Sequence, residues 1–585
     1  MKYIKLLSVF LLISLVGCED KLDILPDGSR LTEDQVKNVI SKDATKLQSE
    51  INGLYSFMKA YPATGTVGQT DFGVASIAWR TEHNGPDLVS PVTGYNWYSG
   101  DLTFQGHNFT YTYPRQLWLQ FYTQIATANS IIAKIDRATD DPTSKSYLGQ
   151  ALAIRAYDYF NLAQLFQFTY INNKNNPCVP LITEETELED IVNNPRATVE
   201  EVYTLIMQDL DDAITYLTGS DIPPRPNESA VNLAVAYGIR ARVNLVMQNW
   251  SDAASDAENA LTLSGEAPMS MDAVSRPAFY DATVPGVLWG LIITAEDDAT
   301  QSWLGNYTGH CVNLSFGVGG YCTVVGTWKK VSKLLYDTIP ATDVRKGWCL
   351  DNNYESPNMQ YHYDNGDANE LLGPTYDPAV DGPAWYYLDM PTFTSVKFGV
   401  GESIINTDNS NDWILMRASE MELIKAEAKA MGGNLGGGQS DLETWVNTYR
   451  DPDFISEATT AEELQDEIWL QRRMEFWGEG ITWYDHMRLE KDIVRYEERN
   501  GQIITNFGAN AIFNIPADAP YRIWPIPQNE IQANDGISDA DNNNMGTLPQ
   551  SLPVPGGKKS MKEAFKNVNG IEFNKRSTIG FKKAY

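Results

Sequence analysis

Carboxylates and aromatic rings are the side chains of this sequence that could do chemistry. Glu475 and Glu479 lie four residues apart in the stretch Thr460–Arg488, TAEELQDEIWLQRRMEFWGEGITWYDHMR. A carboxylate pair is the equipment of acid–base hydrolysis of sugars. Arg472 and Arg473 stand among the same residues, so ion pairs that fix helix packing are the first reading. With 76 acidic residues in the chain, a pair can always be drawn, and a glycoside hydrolase stays open as an alternative. Other catalytic signatures are missing: no HExxH, GxSxG, Walker loop or GxGxxG occurs, and no cofactor is implied. Asp539, Asp541 and Asn543 have calcium-loop spacing. The sixth position is not Gly and the twelfth is Gln550, so this stretch reads as a solvated loop without a metal.

Aromatic rings beside amides and carboxylates form the second chemistry. Trp79, Arg80, Asp87, Tyr95, Asn96, Trp97 and Tyr98 cluster in one segment, and Trp303, Asn306, Tyr307 and Tyr321 in another. A Trp or Tyr ring covers the C–H face of a sugar while Asn, Asp or Arg bonds its hydroxyls. The candidate ligand residues are therefore Arg80, Asp87, Tyr95, Asn96, Trp97, Trp303, Asn306, Tyr307 and Tyr321. Core packing is an equal reading for any one of them, because Trp and Tyr are so often buried.

Helices must position these residues. Thr460 and Glu463 make a capping box, predicting a helix from Ala461 to about Trp477 that Gly478 and Gly480 stop. Thr482 and Asp485 repeat the spacing and predict a second helix. Thr198 and Glu201 form another capping box, followed by the apolar stripe Val199, Val202, Ile206, Leu210, Ala213 and Leu217. Val231–Leu245 and Trp250–Leu261 carry stripes of small residues separated by Gln248–Asn249. Two short antiparallel helices with Ala at their contacts look like a tetratricopeptide repeat. Gly432–Gln439 (GGNLGGGQ) reads as a turn. Pro525-Ile526-Pro527 reads as an extended strap.

The chain has 585 residues, 43% hydrophobic, with 15 Trp, 30 Tyr and a net charge of −31. This charge repels phosphate backbones and excludes nucleic acid as a partner. Lys2 and Lys5 precede an apolar run, Leu6 to Val16, too short to span a bilayer. It ends in Leu15-Val16-Gly17-Cys18, like a bacterial lipobox, with Cys18 acylated as the mature N-terminus. Of the remaining cysteines, Cys178, Cys311, Cys322 and Cys349, the pair Cys311–Cys322 could close one loop; free buried thiols are the equal alternative.

The Thr460–Arg488 stretch resembles the second sequence block of the SusD/RagB family of Bacteroidetes surface lipoproteins, approximately ERRxELxFEGxRWxDLxR. Arg472, Arg473, Glu475, Glu479, Gly480, Trp483, Asp485 and Arg488 match, whereas Gln471, Gly478, Thr482 and His486 depart. Arg417–Ala428 (RASEMELIKAEA) and Ile523–Asn534 (IWPIPQNEIQAN) resemble further family blocks in the same order. The resemblance implies a glycan-binding protein without catalysis. It would be lipid-anchored in the outer membrane facing the exterior and partnered by a SusC-like TonB-dependent transporter. Glu19 and Asp20 resemble the family's acidic export signal. The resemblance also implies that ligand aromatics come from an early loop and a later insert, matching the two clusters by region. A peptide or other non-glycan nutrient is a further alternative ligand.

The expected fold is mainly α, a tetratricopeptide-repeat-like helical scaffold with a loop-rich, partly β insert. The divisions are a signal peptide (1–17), a tether (18–45) and an N-terminal helical region (46–264) with a ligand loop at 61–113. An insert (265–410), with a β-like run at Val287–Thr294, and a C-terminal region (411–585) follow.

Overall fold

The computed structural model describes residues 33–302, 305–315, 320–364, 390–401 and 409–552. Cys18 and Trp303 lie outside the described residues, as does the signal stretch.

Polar sequence hides the first helices. The stretch expected to be a tether contains α1 (Glu33–Lys42), whose Ile40 is buried and whose Val36 packs on the core. Then comes α2 (Gln48–Met58), at the start of the expected N-terminal helical region. The supposed ligand loop at 61–113 contains α3 (Val74–Asn84). Ten of its eleven residues are buried, including Arg80, Glu82 and His83. A helix enclosed on every side shows no apolar stripe, which is why its pattern resembled a loop. The short strand β1 (Leu88–Val89) follows.

The scaffold proper is a run of antiparallel helices, α4 (Thr112–Lys134), α5 (Pro142–Phe166), α6 (Val199–Leu217), α7 (Leu233–Met247) and α8 (Trp250–Ser264). Arg155 of α5 binds Asp209 of α6 through two bonds of 2.7 Å and Asn129 of α4 at 2.8 Å, locking three helices at one buried level. The capping box at Thr198 is present. Gln248, in the left-handed region at φ 60°, turns α7 into α8. Ala253, Ala257 and Ala260 are fully buried on α8. A Cβ at Gly238 would strike the Met416 sulfur, so a larger residue there would force the Met416 side chain to move.

The insert contributes β2 (Val287–Leu291), α9 (Tyr307–Cys311), α10 (Tyr321–Val324) and β3 (Lys330–Val331). The C-terminal region contributes β4 (Trp413–Arg417), α11 (Ala418–Met431), α12 (Leu435–Tyr449), α13 (Ala461–Glu475) and α14 (Thr482–Arg488). The hairpin β5 (Glu497–Arg499) and β6 (Gln502–Ile504) follows. Among the described residues, three two-stranded antiparallel sheets pair β1 with β3, β2 with β4 and β5 with β6.

Two local expectations are corrected. The glycine run is a turn only at its start: α12 begins at Leu435, capped by the Asn434 side chain on the Gly437 N–H. Gly438 there lets α12 lie close on α11, since a Cβ would meet the Ala426 carbonyl at 2.5 Å. Thr482 does not cap α14; it is the first helical residue, and its hydroxyl bonds Glu82 instead. The capping box at Thr460, by contrast, is present, and Gly478 and Gly480 take φ of 76° and 79°. All four described cysteines are buried free thiols, which settles the open choice against a Cys311–Cys322 bridge.

Candidate functional site

A pairing of two residues in each of two strands unites the aromatic clusters. Leu88 faces Val331 and Val89 faces Lys330. The loop after β1 therefore lies beside the segment leading into β3. Tyr95 and Trp97 stand on that loop, and Tyr321 opens α10. Trp97 Nε1–H donates to the Tyr321 hydroxyl at 2.7 Å, and that hydroxyl donates to the Tyr95 carbonyl at 2.8 Å. Tyr95 is 64% exposed and Trp97 38% exposed. Tyr321 is mostly covered, its ring resting on His310 with centroids 4.7 Å apart. Burial raises its phenol pKa, so its hydroxyl keeps its proton. The result is an exposed aromatic surface of Tyr95 and Trp97, in which the Trp97 indole and the Tyr95 backbone are both tied to the Tyr321 hydroxyl before any ligand arrives.

Five of the predicted ligand residues lie inside the protein instead. Arg80 is fully buried and binds both Asp101 oxygens at 2.8 and 2.7 Å and Gln116 at 2.7 Å. Burial raises the Asp101 carboxyl to about 6 against the pull of Arg80. Asp87 is buried in an ion pair with Arg473 at 2.6 Å. Asn96 is the organiser of its own loop, bonding Ser90 Oγ and the Pro91 carbonyl at 2.8 Å. Asn306 caps α9 through the Gly309 N–H at 2.6 Å, and Tyr307 packs edge-on against Trp413. Direct ligand contact by these five is thus corrected to a supporting role. Their partners lie up to 390 residues away in sequence, so local composition could not reveal them. Val324, 75% exposed, lies one turn after Tyr321 on α10.

The C-terminal signature clamps the segment that bears this surface. Trp477 Nε1–H donates to the Asp87 carbonyl at 2.9 Å, beside the Arg473–Asp87 pair. Glu82 of α3 accepts the Gly480 N–H at 2.9 Å and the Thr482 hydroxyl at 3.2 Å. Glu475 and Glu479, the candidate acid–base pair, are consumed by cations. Glu475 accepts from Arg417 and Arg450 at 2.7 Å, and Glu479 from Arg417 at 2.8 Å and Lys397 at 2.5 Å. Burial would raise the Glu475 carboxyl, but Arg450 and Arg417 outweigh it and hold it well below the usual range. A carboxylate so held neither gives nor takes a proton near neutrality. Asn543 of the calcium-like spacing accepts from Arg196 at 3.0 Å and donates to the Phe166 and Trp524 carbonyls.

A repeat-type helical scaffold carrying a pre-ordered aromatic surface defines a binding protein. Residues 63–245 match the SusD-like family described as "Starch-binding associating with outer membrane", and residues 323–545 match the SusD family. SusD-like protein P2 of Formosa agariphila is 25% identical over 547 residues, covering 89% of this chain and 97% of that protein. The crystal structure of a SusD-like carbohydrate binding protein from Bacteroides vulgatus aligns with a TM-score of 0.65 at 20% identity, covering 86% of this chain and 98% of that one. A laminarin binding SusD-like protein aligns at 0.52 and 19% identity, covering 84% and 98%. The chain belongs to the SusD/RagB family, and its fold is SusD-like, mainly helical with small β-sheets. That family consists of binding proteins without catalysis, and its description associates it with the outer membrane.

Proposed function

We propose that this chain is a surface glycan-binding lipoprotein that captures oligosaccharide and delivers it to a TonB-dependent outer-membrane transporter. The aromatic surface of Tyr95, Trp97 and Tyr321 carries the reading. Stacking on rings tolerates variation in the ligand and needs no catalytic group. Tyr95 and Trp97 cover the sugar C–H faces, and Trp303, from the same region of the insert, is proposed as a further contact. The sugar-binding and laminarin-binding labels of structural relatives support a carbohydrate ligand. Cys18 carries the lipid, supported by the positive start, the short apolar run and the small residues before it.

A glycan array on the full mature chain with Cys18→Ala tests the ligand class. Retention of one oligosaccharide family, without change in its length on prolonged incubation, is the expected result. Shortened products would point to hydrolysis, and competition by peptide alone would point to a different nutrient. The anchor is tested in cells: Cys18→Ala releases the protein from membrane fractions, and a variant still membrane-bound after salt washing overturns the lipid.

A further inference from the structure

A second concave site shares no residue with the aromatic surface. A groove of about 1060 Å³ opens between α2, the start of α5 and the segment joining α6 to α7. That is ample for a small-molecule ligand. Among the described residues its lining contains no Asp or Glu, although 76 acidic residues occur in the chain. A lining of this extent drawn at the chain's average would hold several.

One cation is presented into it by a stiff strap. Arg225 sits in Pro223-Pro224-Arg225-Pro226, where proline fixes the backbone on both sides. Its Nη1 donates to the Leu288 carbonyl at 2.7 Å. No carboxylate lies within ion-pair distance of it among the described residues; Glu228 and Glu266 act on it only through their fields. Lys59, the other cation of the lining, is already paired with Asp297 at 2.6 Å.

Three asparagines of the same lining are oriented as donors. Asn52 Oδ1 accepts from Gln48 Nε2 at 2.9 Å, Asn227 Oδ1 from the Ser229 N–H at 2.9 Å, and Asn232 Oδ1 from the Val235 N–H at 3.0 Å. With each carbonyl engaged, the –NH2 group remains for a ligand. Leu263, 49% exposed, supplies an apolar edge. The groove thus offers amide donors, one guanidinium outside ion-pair distance of any carboxylate among the described residues, and no Asp or Glu in its described lining, in a chain of net charge −31. Such a set matches an oxyanion flanked by hydroxyls.

We propose that this groove is a second ligand site, specific for an acidic sugar residue whose carboxylate or sulfate pairs with Arg225 and whose hydroxyls accept from Asn227 and Asn232. Calorimetry on the full mature chain with Cys18→Ala tests it, using tetragalacturonate, a sulfated tetrasaccharide and uncharged laminaritetraose as probes. At least one acidic probe binds, its identity separating carboxylate from sulfate. Arg225→Gln weakens that binding by roughly tenfold or more, as expected for losing a charge-assisted bond. Trp97→Ala leaves it unchanged. The proposal is overturned if neither acidic probe binds, or if a folded Arg225→Gln variant binds the acidic probe as wild type does. It is also overturned if that variant loses the uncharged probe to the same extent. Should Arg225→Gln fail to fold, exposed Asn227→Ala decides: a several-fold loss of the acidic probe supports the site, and unchanged affinity overturns it.

Discussion

Trp97 and Tyr321, 224 residues apart, share a 2.7 Å hydrogen bond from indole N–H to phenol oxygen. This bond exists because β1 and β3 pair, and it fixes the angle at which the exposed indole meets solvent. Trp97→Ala should lower glycan affinity by about 1–3 kcal/mol, by analogy with bases stacked on aromatic residues, hence roughly ten- to a hundredfold. Tyr321→Phe keeps the ring but removes the acceptor, and should cost about 1 kcal/mol of affinity. Titration calorimetry with the oligosaccharide retained on the array measures both, alongside melting temperature. Unaltered affinity in both variants would remove these rings from the ligand surface.

Glu475 should matter to stability alone. It is fully buried, with Arg417 and Arg450 at 2.7 Å and Arg345 at 3.8 Å. Glu475→Gln leaves Arg450 buried without its counter-charge and takes from Arg417 one of its two carboxylate partners, the other being Glu479, a change that costs about 3–5 kcal/mol. Its carboxyl is held below the usual range, so its contribution is complete above pH 4.5 and is lost as pH falls through the folded pKa. Chemical denaturation of wild type and variant checks the cost. Glycan affinity of the folded fraction should not move; a selective loss of binding with normal stability would return Glu475 to the site.

Much of the scaffold was legible from the sequence, because amphipathic helices announce themselves. The capping boxes at Thr198 and Thr460 and the small-residue stripes of α7 and α8 are local signals, and each appears in the fold. The signature glutamates were legible as ion pairs for the same reason. What stayed hidden was three-dimensional. In α3 the polar residues Arg80, Glu82 and His83 are buried because distant partners satisfy them, and a sequence records no partners. Of the aromatic clusters, Tyr95 and Trp97 reach the surface with Tyr321 beneath them, while Trp79 and Tyr307 fill the core. Composition cannot separate these two fates, since the same rings suit both.

Thr460 tests the helix that carries the signature. Its hydroxyl accepts the Glu463 N–H at 3.2 Å, and the Glu463 carboxylate accepts the Thr460 N–H at 3.1 Å. Thr460→Ala removes one half of this exchange and should cost about 1 kcal/mol. The cap is exposed and belongs to the far end of α13 from Glu475 and Trp477, so affinity should be unchanged. Denaturant midpoints with an unchanged slope would identify a pure stability effect. A large affinity loss in the folded variant would instead tie this helix directly to ligand.

Glu82 gives the fold a pH dependence of the opposite sign to that of Glu475. Its carboxyl is buried on α3 and joins that helix to Gly480 and Thr482. Burial pushes it up to about 8, against the Gly480 N–H, with Asp87 adding to the rise. Its ordinary value is 4.5. Between these two values the folded chain retains a proton that the unfolded chain releases. Stability from this group is therefore full below about pH 4.5, declines as pH rises toward 8, and stays lost above it. Glu82→Gln is neutral throughout and keeps an oxygen to accept from Gly480. The variant should gain stability relative to wild type steadily from pH 5 to pH 8, measured as the difference in unfolding free energy at each pH. A difference that stays constant across that range would show that Glu82 is already ionised in the fold, and that the link between α3 and the signature is a charged one.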